Sequence, residues 1–178
     1  PLLLPPDLRD WVPADHLVHF IMDAGSQLDV GAARVNERGT GDAQYPPSMM
    51  LALLIYSYAS GVFSSRQIER STFENVAVRL LCADTHPDHD TLCAFRRHNG
   101  ALLSAGFAQV LELAAGCGGL KVGGITVAID GTKVLASASK HAAVSYERAG
   151  GRMRELELEI GELLAKAEQA DSTPLEDG

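Results

Sequence analysis

The sequence predicts a mainly α-helical protein in which a multi-helix domain is followed by the short start of an α/β region. Three observations predict this class. Helical periodicity and capping signals run through residues 1–119. A glycine-rich stretch, GCGGLKVGG, comes next, and two strand-like runs and a long polar helix follow it. We therefore expect a helical domain over residues 1–119 and a second region over residues 125–178.

The helical domain is expected to begin with a helix that Asp15 caps. Five apolar positions then recur at helical spacing: Leu17, Phe20, Ile21, Ala24 and Leu28. Pro46 and Pro47 mark the start of the next helix, MMLALLIYSYA. Because this helix is apolar nearly all round, we expect it at the buried centre of a bundle.

Three shorter helices are expected between residues 64 and 100. Ser64 and Ser71 each stand three residues before a Gln or Glu, which is the capping-box spacing, so two helices should start in close succession. Asp90 can cap a third helix, TLCAFRRHN, which Gly100 would end. A last apolar helix, ALLSAGFAQVLELAAG, completes the domain.

The second region holds two strand-like runs and a helix. Residues 125–129 and 133–136 are joined by Asp130-Gly131-Thr132. An isolated hairpin is marginal in water, so we expect these runs to open a larger sheet. A long helix is expected over residues 146–170, and its apolar repeat lasts only two heptads. Packing on the same chain is therefore favoured, and self-association as a homodimer stays open.

Composition excludes several classes of protein. Hydrophobic residues make up 46% and charged residues 21%, as in soluble globular proteins, and no apolar run reaches the roughly 18 residues of a membrane span. The spacing of Cys82, Cys93 and Cys117 suits neither zinc nor disulfides and predicts free thiols in a reducing cytoplasm. Turn polarity explains the loop histidines His86 and His89 better than a metal does. The net charge of −8 argues against indiscriminate coating of nucleic acid but allows local basic faces.

Arginines recur on the successive short helices: Arg66, Arg70, Arg79, Arg96 and Arg97. Outward-facing arginines on short helices are what a helix-turn-helix protein offers to DNA phosphates and bases. The same pattern also fits an ordinary solvated surface. The loop before TLCAFRRHN is longer than the turn of a standard helix-turn-helix. On these residues alone, DNA binding is one of two open interpretations.

Asp130 follows a strand-like run, ITVAI, that is apolar at almost every position. Such a strand is expected at the centre of a sheet that is covered on both faces. An Asp-Gly pair between strands is most often a tight turn. A carboxylate at the end of a central strand is also a rigid way to aim a ligand at a metal. The local pattern leaves both interpretations open.

Four segments, in order, resemble bacterial insertion-sequence transposases of the DDE superfamily: LLPPDLRDWVPADHL, YPPSMMLALLIYSYASGVFSSRQIER, PDHDTLCAFRRHN and VAIDGTKVLASASKHAAVSYER. More narrowly, the chain resembles an InsH-like N-terminal helical domain with the start of an RNase H-like catalytic domain. The resemblance implies that the helical domain contributes to recognition of terminal inverted-repeat DNA. The candidate DNA contacts are Arg66, Arg70, Arg96, Arg97, Lys133 and Lys140.

The same resemblance implies that Asp130 is the first acid of an Asp-Asp-Glu triad. In the parent enzyme it would be a ligand of Mg²⁺ or Mn²⁺ and would serve DNA strand cleavage and joining. No later acid of the chain stands at a second strand end or on a later core helix. We therefore expect a truncated RNase H-like start that is inactive alone, in a cytoplasmic, nucleoid-associated protein. Two alternatives remain: a free-standing DNA-binding repressor of transposition and a structural or dimerisation module.

Overall fold

The computed structural model describes residues 7–34, 44–116, 128–129, 132–133 and 146–172. Within these ranges the chain is mainly helical, as the sequence predicts. A short 3₁₀ helix, Leu8–Trp11, comes first. The α-helices that follow are α1 (Leu17–Gly25), α2 (Pro47–Ala59), α3 (Ser65–Glu74), α4 (Val76–Leu81), α5 (His89–His98), α6 (Gly100–Gly116) and α7 (Tyr146–Ser172).

The centre of the bundle is α2. Every residue from 50 to 58 is buried, so the prediction from its all-round apolar sequence is confirmed. Two glycines let neighbouring helices approach it closely. A Cβ at Gly25 would lie 3.3 Å from the Cβ of Ala52, and one at Gly106 would lie 3.2 Å from a methyl group of Leu51. The helices α1 and α6 therefore pack tightly against α2.

Two predicted N-caps are wrong by one or two residues. His16, and not Asp15, caps α1, and its Nδ1 accepts the N–H of Val18 at 3.2 Å. Asp88, and not Asp90, caps α5 through its carboxylate. The backbone is extended at both observed caps, which is the conformation that lets a side chain reach back to the first turn.

The predicted helix start at Ser71 is also wrong, whereas the predicted end of TLCAFRRHN before Gly100 is correct to within one residue. The helix α3 continues through Ser71 and ends at Glu74. Asn75 then caps α4, since its backbone is extended and its side-chain oxygen accepts two backbone N–H groups at 2.9 and 3.3 Å. Asn99 ends α5, and α6 starts directly at Gly100.

The long helix α7 packs on the rest of the same chain and contacts α3 and α6. Ile160, Leu163 and Ala167 are buried in the common core. This placement agrees with the preference for packing within the chain, whereas self-association stays a prediction. The C-terminal end of α7 lies against α3 and α5, where it completes a cluster of polar side chains.

The expected hairpin falls largely on residues that the structure does not describe. Ala128–Ile129 pairs antiparallel with Thr132–Lys133, and these two-residue strands are the described part of it. The rest of the two predicted runs, together with the proposed boundary near residue 119, lies outside the described residues. The RNase H-like start and the division into domains therefore stay predictions.

Two of the three cysteines lie in the described ranges, and both are free thiols. Burial raises the pKa of Cys82 to about 12, so this thiol is expected to be inert. Cys117 lies outside the described residues. None of the described helices is both long enough and apolar enough to cross a membrane.

Candidate nucleic-acid interface on α3

The helix α3 has one face in the core and one face in solvent. Its buried face is formed by Ser65, Ile68 and Thr72. On the other side Arg66, Arg70 and Phe73 are exposed. Positions four and then three residues apart lie on one side of an α-helix, so these side chains form a single line, which we call the exposed stripe. The buried face fixes the direction in which the stripe points.

The two arginines of the stripe differ in their partners. Arg66 makes no ion pair with any described residue. Arg70 donates from Nε to Glu74 Oε1 at 2.8 Å, and this hydrogen bond raises the pKa of Arg70. The side chains of Arg70 and Glu74 are 76% and 60% exposed. Because water screens a pair this exposed, Arg70 can exchange the carboxylate for another anion.

A second carboxylate beside the stripe is also paired. Glu69 accepts a hydrogen bond from the backbone N–H of His89 at 3.2 Å, and its Oε2 lies 2.7 Å from Nδ1 of the same residue. This contact ties the middle of α3 to the start of α5. Glu69 therefore has a partner outside the stripe, which reduces the repulsion that it would exert on an approaching anion.

Phe73 ends the stripe as part of an aromatic pair. Its ring stacks on the imidazole of His86, with centroids 3.9 Å apart and planes 12° apart, and yet Phe73 stays 57% exposed. His86 is held in place because its Nδ1 lies 3.1 Å from the hydroxyl of Thr72 and its carbonyl accepts a hydrogen bond from the hydroxyl of Tyr45 at 3.2 Å. The exposed phenyl ring thus lies on a fixed support.

Where α7 meets α3 and α5, the chain forms what we call the buried polar cluster: Tyr58, Ser65, Cys93, Arg96 and Asp171. Asp171 accepts the backbone N–H and the hydroxyl of Ser65, both at 2.6 Å, and the thiol of Cys93 at 3.2 Å. Arg96 Nη1 lies 2.7 Å from Asp171 Oδ2, although its N–H is not aligned for a hydrogen bond. The Arg96 and Asp171 side chains are only 4% and 7% exposed.

The ionisation of the cluster follows from these contacts. Burial by itself would raise the pKa of Asp171, but the hydrogen bonds from Ser65 and the contacts with Arg96 and Cys93 outweigh it and lower that pKa. Burial would lower the pKa of Arg96, yet its contacts with Tyr58, Asp171 and Glu168 raise it. Both groups are therefore charged in the folded protein and compensate each other.

Glu168 joins the two adjacent arginines of α5. Its Oε2 accepts a hydrogen bond from Arg96 Nη2 at 2.7 Å. Its Oε1 accepts hydrogen bonds from Arg97 Nε and Nη2 at 2.9 and 2.8 Å. The hydrogen bonds from Arg97, and then those from Arg96, lower the pKa of Glu168. Arg97 is nevertheless 58% exposed, so it lies at the rim of the buried polar cluster.

The structure separates the four arginines that the sequence singles out. Arg66 and Arg70 lie together on the exposed stripe. Arg97 is at the surface but is held by Glu168. Arg96 is buried, so its position argues against the predicted contact with DNA. The reason is a pair of carboxylates more than 70 residues further along the chain, which the local pattern around TLCAFRRHN does not reveal.

The candidate residues of the second region cannot be placed in the same way. The side chains of Asp130, Lys133 and Lys140 lie outside the described residues. Among the residues that are described, no group of three or more His, Cys, Asp or Glu side chains could hold a metal ion. The metal site implied by Asp130 stays a prediction.

Sequence reasoning missed Phe73 and the role of α7. The position of Phe73, three residues after Arg70 on the same side of a helix, is a signal that could have found it. Nothing in the sequence pairs Glu168 or Asp171 with α5, because the stretch around Asp171 carries no structural signal.

Comparison with protein families gives one match. The family model described as Transposase domain (DUF772) matches residues 6–98, which is more than half of the chain. The match includes α1 to α5 and therefore the whole exposed stripe. The chain belongs to this transposase-domain family. No curated protein and no solved structure matches it.

Proposed function

We propose that this member of the transposase-domain family recognises the terminal inverted repeats of an insertion sequence, with the exposed stripe of α3 as its DNA contact surface. The observation that carries the proposal is the arrangement of α3. Arg66 and Arg70 extend from a helix whose opposite face is fixed in the core. Contacts to phosphates supply much of the affinity and set the register of a protein on the duplex.

The charge of the chain makes a local contact surface necessary. With a net charge of −8, the protein as a whole repels a polyanion. The stripe offers two arginines whose Cα atoms are about 6 Å apart along the helix axis. Of the neighbouring acids, Glu69 is paired with His89, whereas Glu74 loses its partner when Arg70 exchanges it for a phosphate. DNA is therefore expected to approach along α3.

The helix α5 contributes in two different ways. Arg97 is exposed enough to reach a phosphate if it leaves Glu168, so it is proposed as a further contact. Arg96 stabilises the position of α3 indirectly. It pairs with Asp171 of α7, which also accepts the backbone N–H of Ser65 at the N-terminus of α3. We assign Arg96 a structural role and expect no phosphate contact from it.

The chemistry of the parent enzyme remains part of the proposal. We propose that Asp130 opens an RNase H-like catalytic domain as the first acid of an Asp-Asp-Glu triad, with Lys133 and Lys140 near the DNA. Carboxylates are ligands that Mg²⁺ and Mn²⁺ prefer, and such ions support strand cleavage and joining. In a longer protein that carries all three acids of the triad, Asp130→Asn should abolish strand cleavage and leave repeat binding intact. Full cleavage activity of that variant would show that Asp130 is not a catalytic metal ligand and would favour its interpretation as a turn residue.

Repeat recognition is tested by fluorescence anisotropy with a labelled terminal-repeat duplex and a scrambled duplex of the same composition. We expect tighter binding to the repeat. The logarithm of the affinity should fall linearly with the logarithm of salt concentration, with a slope of about −1.8 for two phosphate contacts and about −2.7 for three.

Three outcomes of this titration are informative. Equal affinity for both duplexes would leave DNA contact intact and refute repeat recognition. Affinity that does not change between about 50 and 200 mM salt would refute the role of the arginines. Tight repeat binding without strand cleavage, in a protein that carries all three acids, would favour the free-standing repressor.

A further inference from the structure

We infer that the Phe73–His86 pair is a stacking platform for one unstacked nucleobase of the bound DNA. The inference rests on the proposed function, since it adds a base contact to a stripe whose arginines are proposed to bind phosphates. It goes beyond that function because it assigns a ligand class to side chains that the resemblance and the family match leave without a role.

The geometry of the pair suits a planar aromatic ligand. His86 covers one face of the phenyl ring at a centroid distance of 3.9 Å, and Phe73 is still 57% exposed. A nucleobase that stacks on the open side would extend an existing stack by one ring. Every base has a π-face, so such a contact tolerates any sequence.

The support beneath the ring is rigid. Thr72 and Tyr45 hold His86 through its ring nitrogen and its carbonyl, and Pro87, the next residue, is fully buried. Little freedom is therefore lost when a ligand stacks, which is the advantage of a preorganised site. An exposed side chain on a mobile loop would not offer this.

The position of the ring on α3 connects it to the phosphate contacts. Phe73 lies three residues from Arg70, which is about 4.5 Å along the helix axis, and on the same side of the helix. A guanidinium group and a ring at this separation can contact the phosphate and the base of neighbouring nucleotides. Along the exposed stripe, Arg66 and Arg70 would then contact phosphates and Phe73 would contact a base.

An unstacked base can come from two sources, a single-stranded end or a base pulled out of the duplex. The first is tested with a terminal-repeat duplex that carries three overhanging thymidines, compared with the same duplex whose overhang is abasic. The abasic overhang keeps the phosphates and removes only the bases. The second is tested with a blunt duplex, with and without an abasic site at its terminal nucleotide.

The experiment titrates each labelled DNA with the 178-residue chain and with its Phe73→Ala, Phe73→Trp and Leu158→Ala variants. In the overhang pair, the blunt pair or both, the wild type should bind the DNA that keeps its bases at least about fivefold more tightly than its abasic counterpart. Phe73→Ala should remove this difference, and Phe73→Trp should keep it. Leu158 is 71% exposed on α7, so Leu158→Ala is the matched control for loss of an exposed apolar group and should change nothing.

The outcomes separate this inference from the proposed function. Equal affinity for DNA with and without bases overturns the platform and leaves the phosphate-binding stripe in place. A preference for bases that survives in Phe73→Ala also overturns the platform. If the wild type binds none of the four DNAs, both the platform and the proposed function are overturned. If circular dichroism shows that Phe73→Ala is unfolded, Phe73→Leu replaces it, since it keeps apolar bulk and removes the aromatic face.

Discussion

The exposed stripe of α3 and the buried polar cluster at the end of α7 both contain arginine, but their surroundings differ. Arg66 and Arg70 stand in solvent on a helix that is anchored from behind. Arg96 is 4% exposed and lies between two carboxylates of α7. Arg97, the next residue, is at the surface. An arginine that is buried between acids from a distant part of the chain holds the fold, whereas an exposed arginine stays available to a ligand even where, as at Arg97, one such acid is its partner.

The largest effect that separates the two regions is expected from removal of Arg96. In Arg96→Ala, Asp171 keeps its charge in a buried site and loses the opposite charge that compensates it. Loss of one partner of a buried ion pair costs about 3–5 kcal/mol of the free energy of unfolding. Urea unfolding monitored by circular dichroism measures this loss.

Arg97→Ala is the matched control for that variant. Its side chain is largely in solvent, so its loss should change the free energy of unfolding far less. Equal destabilisation by the two substitutions would contradict the distinction between a buried cluster and an exposed rim.

A smaller effect is expected at the link between the cluster and α3. Ser65→Ala removes the hydroxyl that donates to Asp171 at 2.6 Å. A hydrogen bond to a charged group contributes about 1.5–3 kcal/mol, so the variant should lose about 2 kcal/mol of stability. In Ser71→Ala the lost hydroxyl donates only to a carbonyl of its own helix, and the change should stay within about 0.5 kcal/mol. Similar losses in both variants would show that Ser65 does not anchor α3 to α7.

The smallest predicted effect is a dependence of stability on pH. The pKa of Asp171 is lowered in the folded protein, so its contribution is complete above the unfolded pKa of about 3.9 and is lost as the pH falls through the lower folded value. Asp171→Asn lacks this titration. The stability difference between wild type and variant should therefore shrink as the pH falls from about 5 to about 2. A constant difference across this range would mean that Asp171 is not ionised in the cluster.

The sequence predicted the parts of the fold that local pattern determines. The sequence of α2 is apolar nearly all round and predicts burial on all sides, and every residue from 50 to 58 is buried. Helix starts are harder to predict from local pattern, because several side chains near one boundary can cap. The capping-box spacing predicts Ser71 as the cap of α4, but Asn75 is the cap and the Ser71 hydroxyl donates to a carbonyl within α3.

The candidate site was predictable only where it depends on one helix. The i, i+4 spacing of Arg66 and Arg70 places them on one side of α3 in sequence and in structure alike. The burial of Arg96 was not predictable, because it results from Glu168 and Asp171 on a helix that comes from the other end of the chain. Long-range ion pairs of this kind leave no periodic signal in a single sequence.

One measurement tests most directly the central claim that the exposed stripe of α3 binds DNA. The Arg66→Ala, Arg70→Ala double variant is titrated with the terminal-repeat duplex over a salt series, and its unfolding midpoint is determined beside it. Arg79→Ala on α4, whose arginine is paired with Asp84, serves as the control. We predict an unchanged unfolding midpoint, weaker binding and a salt slope that is shallower by about 1.8, with no such change in the control. Wild-type affinity and slope in the folded double variant would contradict the account.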